Sequence, residues 1–375
     1  MRTVSKTVIG VDFGTQSARA VLVNAENGEI IYSCRKEYPY NSTPVPAIDC
    51  AENLPCATDY EMTLYELLRN VIPEEYRKTV AGICIDATSL TMVLLAEDGR
   101  VLSELDGWSE AAHARVKLWK YHRAQEKADE ALNLASNLQE PFLGRTGGSI
   151  SCEWMLPKLL EVRDEAPEIY SKIDLAMDLC EFLTFRLTGQ LVRSIGSLSY
   201  KCLWAEDLSF PERTFLNGLR AGFYEEYCHF LRGDVRKPGE CAGMLRSELT
   251  KRWGLPEQIP VATGMLDGHT SLATMGAFEP GDAALIVGTS NVCTVQDRKL
   301  QELKDVCGVA QEGMVTGSCG IDTGQSSTGN MLGWFVEHMA GWQIHREAEE
   351  RKISPHQVLA ERIQKPWENK VIDRK

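Results

Sequence analysis

The chain is 375 residues long, 43% hydrophobic and 25% charged, with a formal net charge of -13. That length and apolar content suffice for two domains with cores of their own and exclude a disordered chain. The acidic balance speaks against a nucleic-acid groove or an anionic membrane surface, which need clustered Lys and Arg, but is compatible with a small anion held by backbone amides and a metal.

In chain order, "VIGVDFGTQSARAVLV" comes first. Thr7 to Val11 is β-rich, "GTQS" turns, Arg19 to Val23 is β-rich again, and "NAENGE" turns into "IIYSCRKEY", which together predict an antiparallel meander. Apolar spacing predicts a helix over Met62–Val71; "VAGICID" reads as a strand and "TMVLLAEDGRVL" as a hairpin turning at Asp98-Gly99. Helices are expected from Ala112 to about Asn137, from Met155 to about Glu165, and from Asp178 to Leu187, the last closed by Thr188-Gly189. Between Pro256 and Gly281, "VATGMLDGHTSLATMGA" reads as a strand, a turn at Asp267-Gly268 and a helix of small residues.

The opening pattern then returns. "AALIVGTSNVCTV" is a strand, a Gly288-Thr289-Ser290 turn and a second strand, echoing Gly14-Thr15-Gln16-Ser17. Two such hairpins suggest two related domains facing one ligand. The boundary falls at "EPGD", Glu279 to Asp282, where the residues are those of a turn. The C-terminal "KPWENKVIDRK" is too polar for a core. The 12 cysteines are scattered singly, without a C-x-x-C pair, so neither a zinc site nor a disulfide framework is signalled and reduced thiols in a cytoplasm fit best. The N-terminus leads into a strand carrying an acid, not the apolar run of a signal peptide, and no stretch of about 18 apolar residues follows.

At the first turn, Gly14 permits close backbone approach, and Thr15 and Ser17 add hydroxyls, so successive amides would form an anion-binding concavity. The pattern is neither a P-loop nor a Rossmann fingerprint. Asp12 would repel a bare phosphate but not a magnesium-bound one, since Mg²⁺ takes one or two carboxylates beside phosphate oxygens and waters. Its alternative role is to accept turn hydrogen bonds. Asp267, in "GMLDGHTS", would take a proton from a hydroxyl attacking a phosphate; alternatively it caps the helix that follows. His269 is as well placed on a surface as against a ligand, and Asp86 would orient the Thr88-Ser89 turn. Lys201 in "SYKCLW" suits a sugar oxygen or snorkels to the surface. Glu153 begins a helix, where an acid is favoured anyway, and Trp119 suits helix packing as well as a sugar platform.

Together "VDFGTQSARAVLV", "IDATSLTMVLLAEDGRVL", "HARVKLWKYH", "GGSISCEWMLPKLLE", "LTFRLTGQLVRSIGSLSYKCLW", "GMLDGHTSLATMGA", "ALIVGTSNVCTV" and "DTGQSSTGNMLGWFVEH" resemble the FGGY carbohydrate kinases, most closely their ribulokinase branch. The resemblance runs in order from about Val8 to about His338. It implies an α/β, actin-like (ribonuclease-H-like) ATPase fold, with a sugar-binding domain over residues 1–279 and the start of an ATP-binding domain over 280–375. It implies ATP-dependent phosphorylation of a ketopentose such as ribulose, with ATP and Mg²⁺ as cofactors; the acidic charge adds that neither nucleic acid nor membrane is expected as partner, and a homodimer is compatible with both. By the resemblance, Asp12 is the magnesium-associated acid and Asp267 the catalytic base. Gly14, Thr15 and Gln16 belong to the first phosphate loop, and Gly288, Thr289 and Ser290 to the second. Ser89, Lys201, Asp267 and Asp322 read the sugar, with Trp119 and Glu153 beside them.

Two departures stand out. The branch has "EGGQS" where this chain has "DTGQS", so Asp322 reaches less far than a Glu and leaves the sugar open. Family members are also longer, so the expectation is a complete first domain, an incomplete second one and little turnover. The alternatives are a sugar-binding or regulatory remnant, or an actin-like scaffold, against which Glu153 and Lys201 speak.

Overall fold

The computed structural model describes residues 5–38, 54–288, 291–325 and 327–368. The chain forms two compact units: the first runs through Ala284 and takes back Thr294–Thr323, and the second holds Leu285–Cys293 and the chain from Gly324.

In the first unit, β1 (Thr7–Phe13), β2 (Ser17–Asn24) and β3 (Ile30–Glu37) form the antiparallel meander, and β4 (Val80–Ala87) joins β1 in parallel. Among the described residues the sheet has seven strands: the order β3-β2-β1-β4 continues through Pro260–Ala262 to Cys241–Met244, and the short Met265–Leu266 also pairs with β4. Alternation sets the faces of β1, burying Ile9, Val11 and Phe13 and turning Asp12 the other way. Helix α1 (Ala57–Val71) covers the core face, burying Tyr60, Leu64, Leu67, Leu68 and Val71 against β2 and β3. Each such side chain contributes roughly 1.5–3 kcal/mol when fully buried. The helix starts before Met62 because Ala57 and Tyr60 also reach the core. Helix Leu179–Thr188 is bounded by a capping box of Asp178 and Glu181 and by Gly189 in the left-handed region at φ 73°.

The helix expected over Ala112 to Asn137 is not continuous. A short 3₁₀ turn at Ala112–Ala114 is followed by irregular chain, and the helix runs only over Gln125–Leu138. Arg115 is held by the carbonyls of Ser109 (2.8 Å) and Leu54 (3.0 Å), and Lys117 exchanges backbone hydrogen bonds with Met92 at 2.9 and 3.2 Å. These tertiary bonds satisfy the backbone outside a helix and override the local pattern. Asp267-Gly268 is likewise no turn but the start of helix Asp267–Met275, whose N-cap is Leu266 without a side-chain cap.

Also in the first unit, Gly308–Gln311 pairs antiparallel with Cys319–Asp322, setting Gly308 opposite Asp322. Tyr200, in helix Ile195–Lys201, is 1% exposed and seats itself against this pair, its hydroxyl donating to the Gly320 carbonyl at 2.8 Å. A Cβ at Gly308, Gly313 or Gly320 would stand 2.7, 2.6 or 2.4 Å from the tyrosine side chain, so glycine is required at each.

The second unit carries helices Thr328–Met339, Trp342–Arg351 and Pro355–Glu368. Ile344, Ala348 and Val358 form its small buried cluster, while Met331, Leu332, Trp334, Phe335 and Met339 are exposed. Among the described residues no helix is long and apolar enough to cross a membrane.

Candidate functional site

The parallel register of β1 and β4 sets Asp12 opposite Asp86, and that of Met265–Leu266 with β4 sets Met265 opposite Asp86 and Leu266 opposite Ala87. Asp12 and Asp86 therefore lie at the carboxyl ends of neighbouring strands, and Asp267 follows in the first turn of its helix. In open α/β sheets this is where ligands gather. Gly264 lets the third segment in: a Cβ there would stand 2.6 Å from the Cys180 carbonyl oxygen.

Crowded carboxylates shift one another. Burial, then the charges of Asp12 and Asp267, push the Asp86 carboxyl up to about 8, and its Oδ1 is buried without a hydrogen-bond partner. Burial also raises Asp267, to about 6; the Gly268 N–H at 2.7 Å and Lys201 oppose the rise and Asp12 adds to it. Asp12 is 41% exposed and 3.5 Å from Arg19. The cluster is short of positive charge. Among the described residues no group of three or more His, Cys, Asp or Glu closes around a metal directly. The residues fit a hydrated cation resting on one or two carboxylates, which is how Mg²⁺ binds.

Beside the carboxylates, Lys201 Nζ donates to Asp322 Oδ2 at 3.3 Å, and His269 Nε2 stands 3.6 Å from the same oxygen. Burial pushes the Asp322 carboxyl up, but Lys201 and His269 outweigh it and hold it at about 2. Lys201, 12% exposed, does not snorkel; burial pulls its ammonium down, and Asp322 with Cys307 raises it above the ordinary lysine value. Tyr200 meets His269 edge-on at 4.7 Å.

Ser89 lies in a turn held from two sides. Asp178 accepts from the Leu90 and Thr91 amides at 3.0 and 3.2 Å, and Lys158 Nζ donates to the Leu90 carbonyl at 3.0 Å. Leu90 takes φ 46°, a strained conformation that those contacts over-determine. The Ser89 hydroxyl is buried without a partner, and its main-chain N–H faces Asp267. Trp119 Nε1 donates to Thr15 Oγ1 at 3.1 Å, and Glu153 pairs with His122 at 2.9 Å while its charge still acts on Lys201. In the first loop, the Gly14 amide donates to the Ser17 carbonyl at 3.1 Å, the Gly14 carbonyl accepts from the Tyr38 hydroxyl at 2.9 Å, and Gln16 accepts from the Tyr38 amide at 3.3 Å. Gly288 belongs to the second unit, and Thr289 and Ser290 lie outside the described residues.

Asp86 and His269 are the residues sequence reasoning undervalued. A signal for Asp86 exists in "VIGVD" and "GICID", apolar runs that end alike; none marks His269.

Residues 7–275 match the N-terminal domain of the FGGY family of carbohydrate kinases. The chain belongs to that family. This FGGY chain is 35% identical over 370 residues to a ribulokinase of Mycolicibacterium smegmatis, covering 95% of this chain and 65% of the relative. To a ribulokinase of Halalkalibacterium halodurans it is 32% identical over 366 residues, covering 96% of this chain and 65% of that one. It thus spans about 65% of the length of these relatives. The solved xylulose kinase of Rhodospirillum rubrum superposes with a TM-score of 0.70 at 19% identity, covering 92% of this chain and 67% of that one. The likeness is one of fold, the actin-like α/β architecture of FGGY kinases.

Proposed function

We propose that the chain is the sugar-binding and proton-accepting part of an ATP-dependent ketopentose kinase, with residues 1–279 as the sugar domain and 280–375 as the start of the ATP domain. One observation carries the reading: the Asp12, Asp86 and Asp267 carboxylates lie next to the buried Lys201–Asp322 pair. The similarity to ribulokinases supports a ketopentose as the sugar.

In this reading Ser89, Lys201 and Asp322 bind sugar hydroxyls, with Trp119 and Glu153 at the edge. Asp267 accepts the proton of the attacking hydroxyl. Its carboxyl, raised to about 6, is still ionised at neutral pH yet more basic than an ordinary aspartate, which suits a general base. The Gly268 N–H holds one carboxylate oxygen and so orients the other. Asp12 and Asp86 would hold Mg²⁺ through its waters, and the bound ion supplies positive charge to the transferring phosphate oxygens. By the family resemblance, Gly14, Thr15 and Gln16 would make one phosphate loop, and Gly288, Thr289 and Ser290 would make a second. The described cysteines are free thiols, in keeping with a cytoplasmic protein.

The test is ribulose phosphate formation from ribulose and Mg-ATP, followed by ADP release, with calorimetric sugar binding alongside. Transfer that falls by about 10²-fold or more in Asp267→Asn, with sugar binding retained, supports the kinase. Absence of sugar binding by the parent chain refutes the sugar site, and sugar binding without transfer reduces the chain to a sugar-binding remnant.

A further inference from the structure

A second concavity in the first unit shares no residue with the carboxylate cluster. It has a volume of about 400 Å³ and lies where Pro141–Arg145, the chain over 203–212 and the strand Gly308–Gln311 meet. That size is within the ordinary range for small-molecule sites. Helix Ile195–Lys201 borders both places: Ser199 lines the cavity, while Lys201, two residues on, turns to Asp322.

The lining has a distinct chemistry. Phe142, Trp204 and Phe210 supply aromatic surface. Glu140, Glu206, Asp207 and Glu212 supply carboxylates against a single lining cation, Arg145. That cation is already spent, because its Nη1 and Nη2 donate to the two oxygens of Asp207 at 2.7 Å each. Glu140 has no such partner. It is 6% exposed, and its Oε2 is buried without a hydrogen bond. Burial, then the neighbouring Glu212 charge, pushes its carboxyl above the ordinary value, against the pull of a hydrogen bond from the Glu212 main-chain N–H.

A buried carboxylate that has one oxygen without a hydrogen bond and no cation beside it costs free energy that a bound cation would recover. An anion would add to the repulsion, and a neutral polyol would leave the charge uncompensated. Aromatic faces beside carboxylates select an organic cation, whose charge is attracted both to the ring quadrupoles and to the acids while its carbon surface is buried. We propose that this cavity binds a small organic ammonium ion.

The probe is choline, compared by calorimetry with 3,3-dimethyl-1-butanol, the neutral molecule of the same shape. Choline is expected to bind at least tenfold more tightly than its isostere, and Glu140→Gln to weaken choline at least tenfold. Because Glu140 is buried, Trp204→Leu serves as a second variant at a half-buried position and is expected to weaken choline severalfold. Sugar binding at the other site should be unchanged in both variants. Equal affinity for the two isosteres, no binding of choline up to about 10 mM, or wild-type choline affinity in both variants would each overturn the proposal.

Discussion

Replacing Lys201 by Met removes an ammonium while keeping most of the volume of its stem. The Asp322 carboxylate, 9% exposed, is then left with His269 at 3.6 Å. Being held at about 2 against an ordinary 3.8, that group contributes about 2 kcal/mol to stability at neutral pH. Losing one member of a buried pair typically costs about 3–5 kcal/mol, since the other is left uncompensated. The expected deficit is about 3 kcal/mol at neutral pH, read from urea unfolding followed by tryptophan fluorescence. The sign with pH is definite. In the parent, the Asp322 contribution is complete above the unfolded value near 4 and is lost as pH falls through about 2. In Lys201→Met, burial without the cation raises the carboxyl, so mild acid neutralises it and the deficit shrinks. Adding Asp322→Asn should recover at least half the loss. A Lys201→Met chain within about 0.5 kcal/mol of the parent, or a deficit that grows on acidification, would refute the assignment.

The acid limb of kcat/KM should fall near pH 6, as Asp267 takes up its proton, and a limb near the ordinary aspartate value of 3.8 would remove Asp267 as the base. Arg193 is 0% exposed and donates to Glu181 and to the carbonyls of Ala176, Arg232 and Phe230 at 2.8–2.9 Å, so Arg193→Met should cost about 3–5 kcal/mol in urea unfolding. Tyr200→Phe should cost about 1 kcal/mol through the lost bond to Gly320, and Gly320→Ala distinctly more because it displaces the ring; melting temperatures in that reverse order would contradict the close seat.

Elements governed by neighbours in sequence were legible before the structure. The meander of β1 to β3, the Asp178 cap and the Gly189 stop all rest on local spacing and turn chemistry. The helix expected through Lys117 was not, since the bonds that draw Arg115 and Lys117 away come from Leu54 and Met92. In the candidate site, Asp12 and Asp267 could be singled out beside glycine. Asp86 was marked only by ending an apolar run as Asp12 does, and its place beside Asp12 depends on the strand across from it. His269 acquires a role only when the chain returns with Asp322. The Glu140 cavity is assembled from three distant stretches, each ordinary on its own.

The pairing of Asp12 with Asp86 also makes the site a witness to correct folding. Side chains alternate along a strand, so a one-residue slip of β4 along β1 would bring Ile85 or Ala87 level with Asp12 and send Asp86 to another neighbour. A mispaired chain could keep its secondary structure and much of its apolar burial, yet it could not gather the carboxylates. Under the proposed role of these carboxylates, magnesium binding would then separate properly registered molecules from compact misfolded ones of the same size, which neither circular dichroism nor gel filtration resolves.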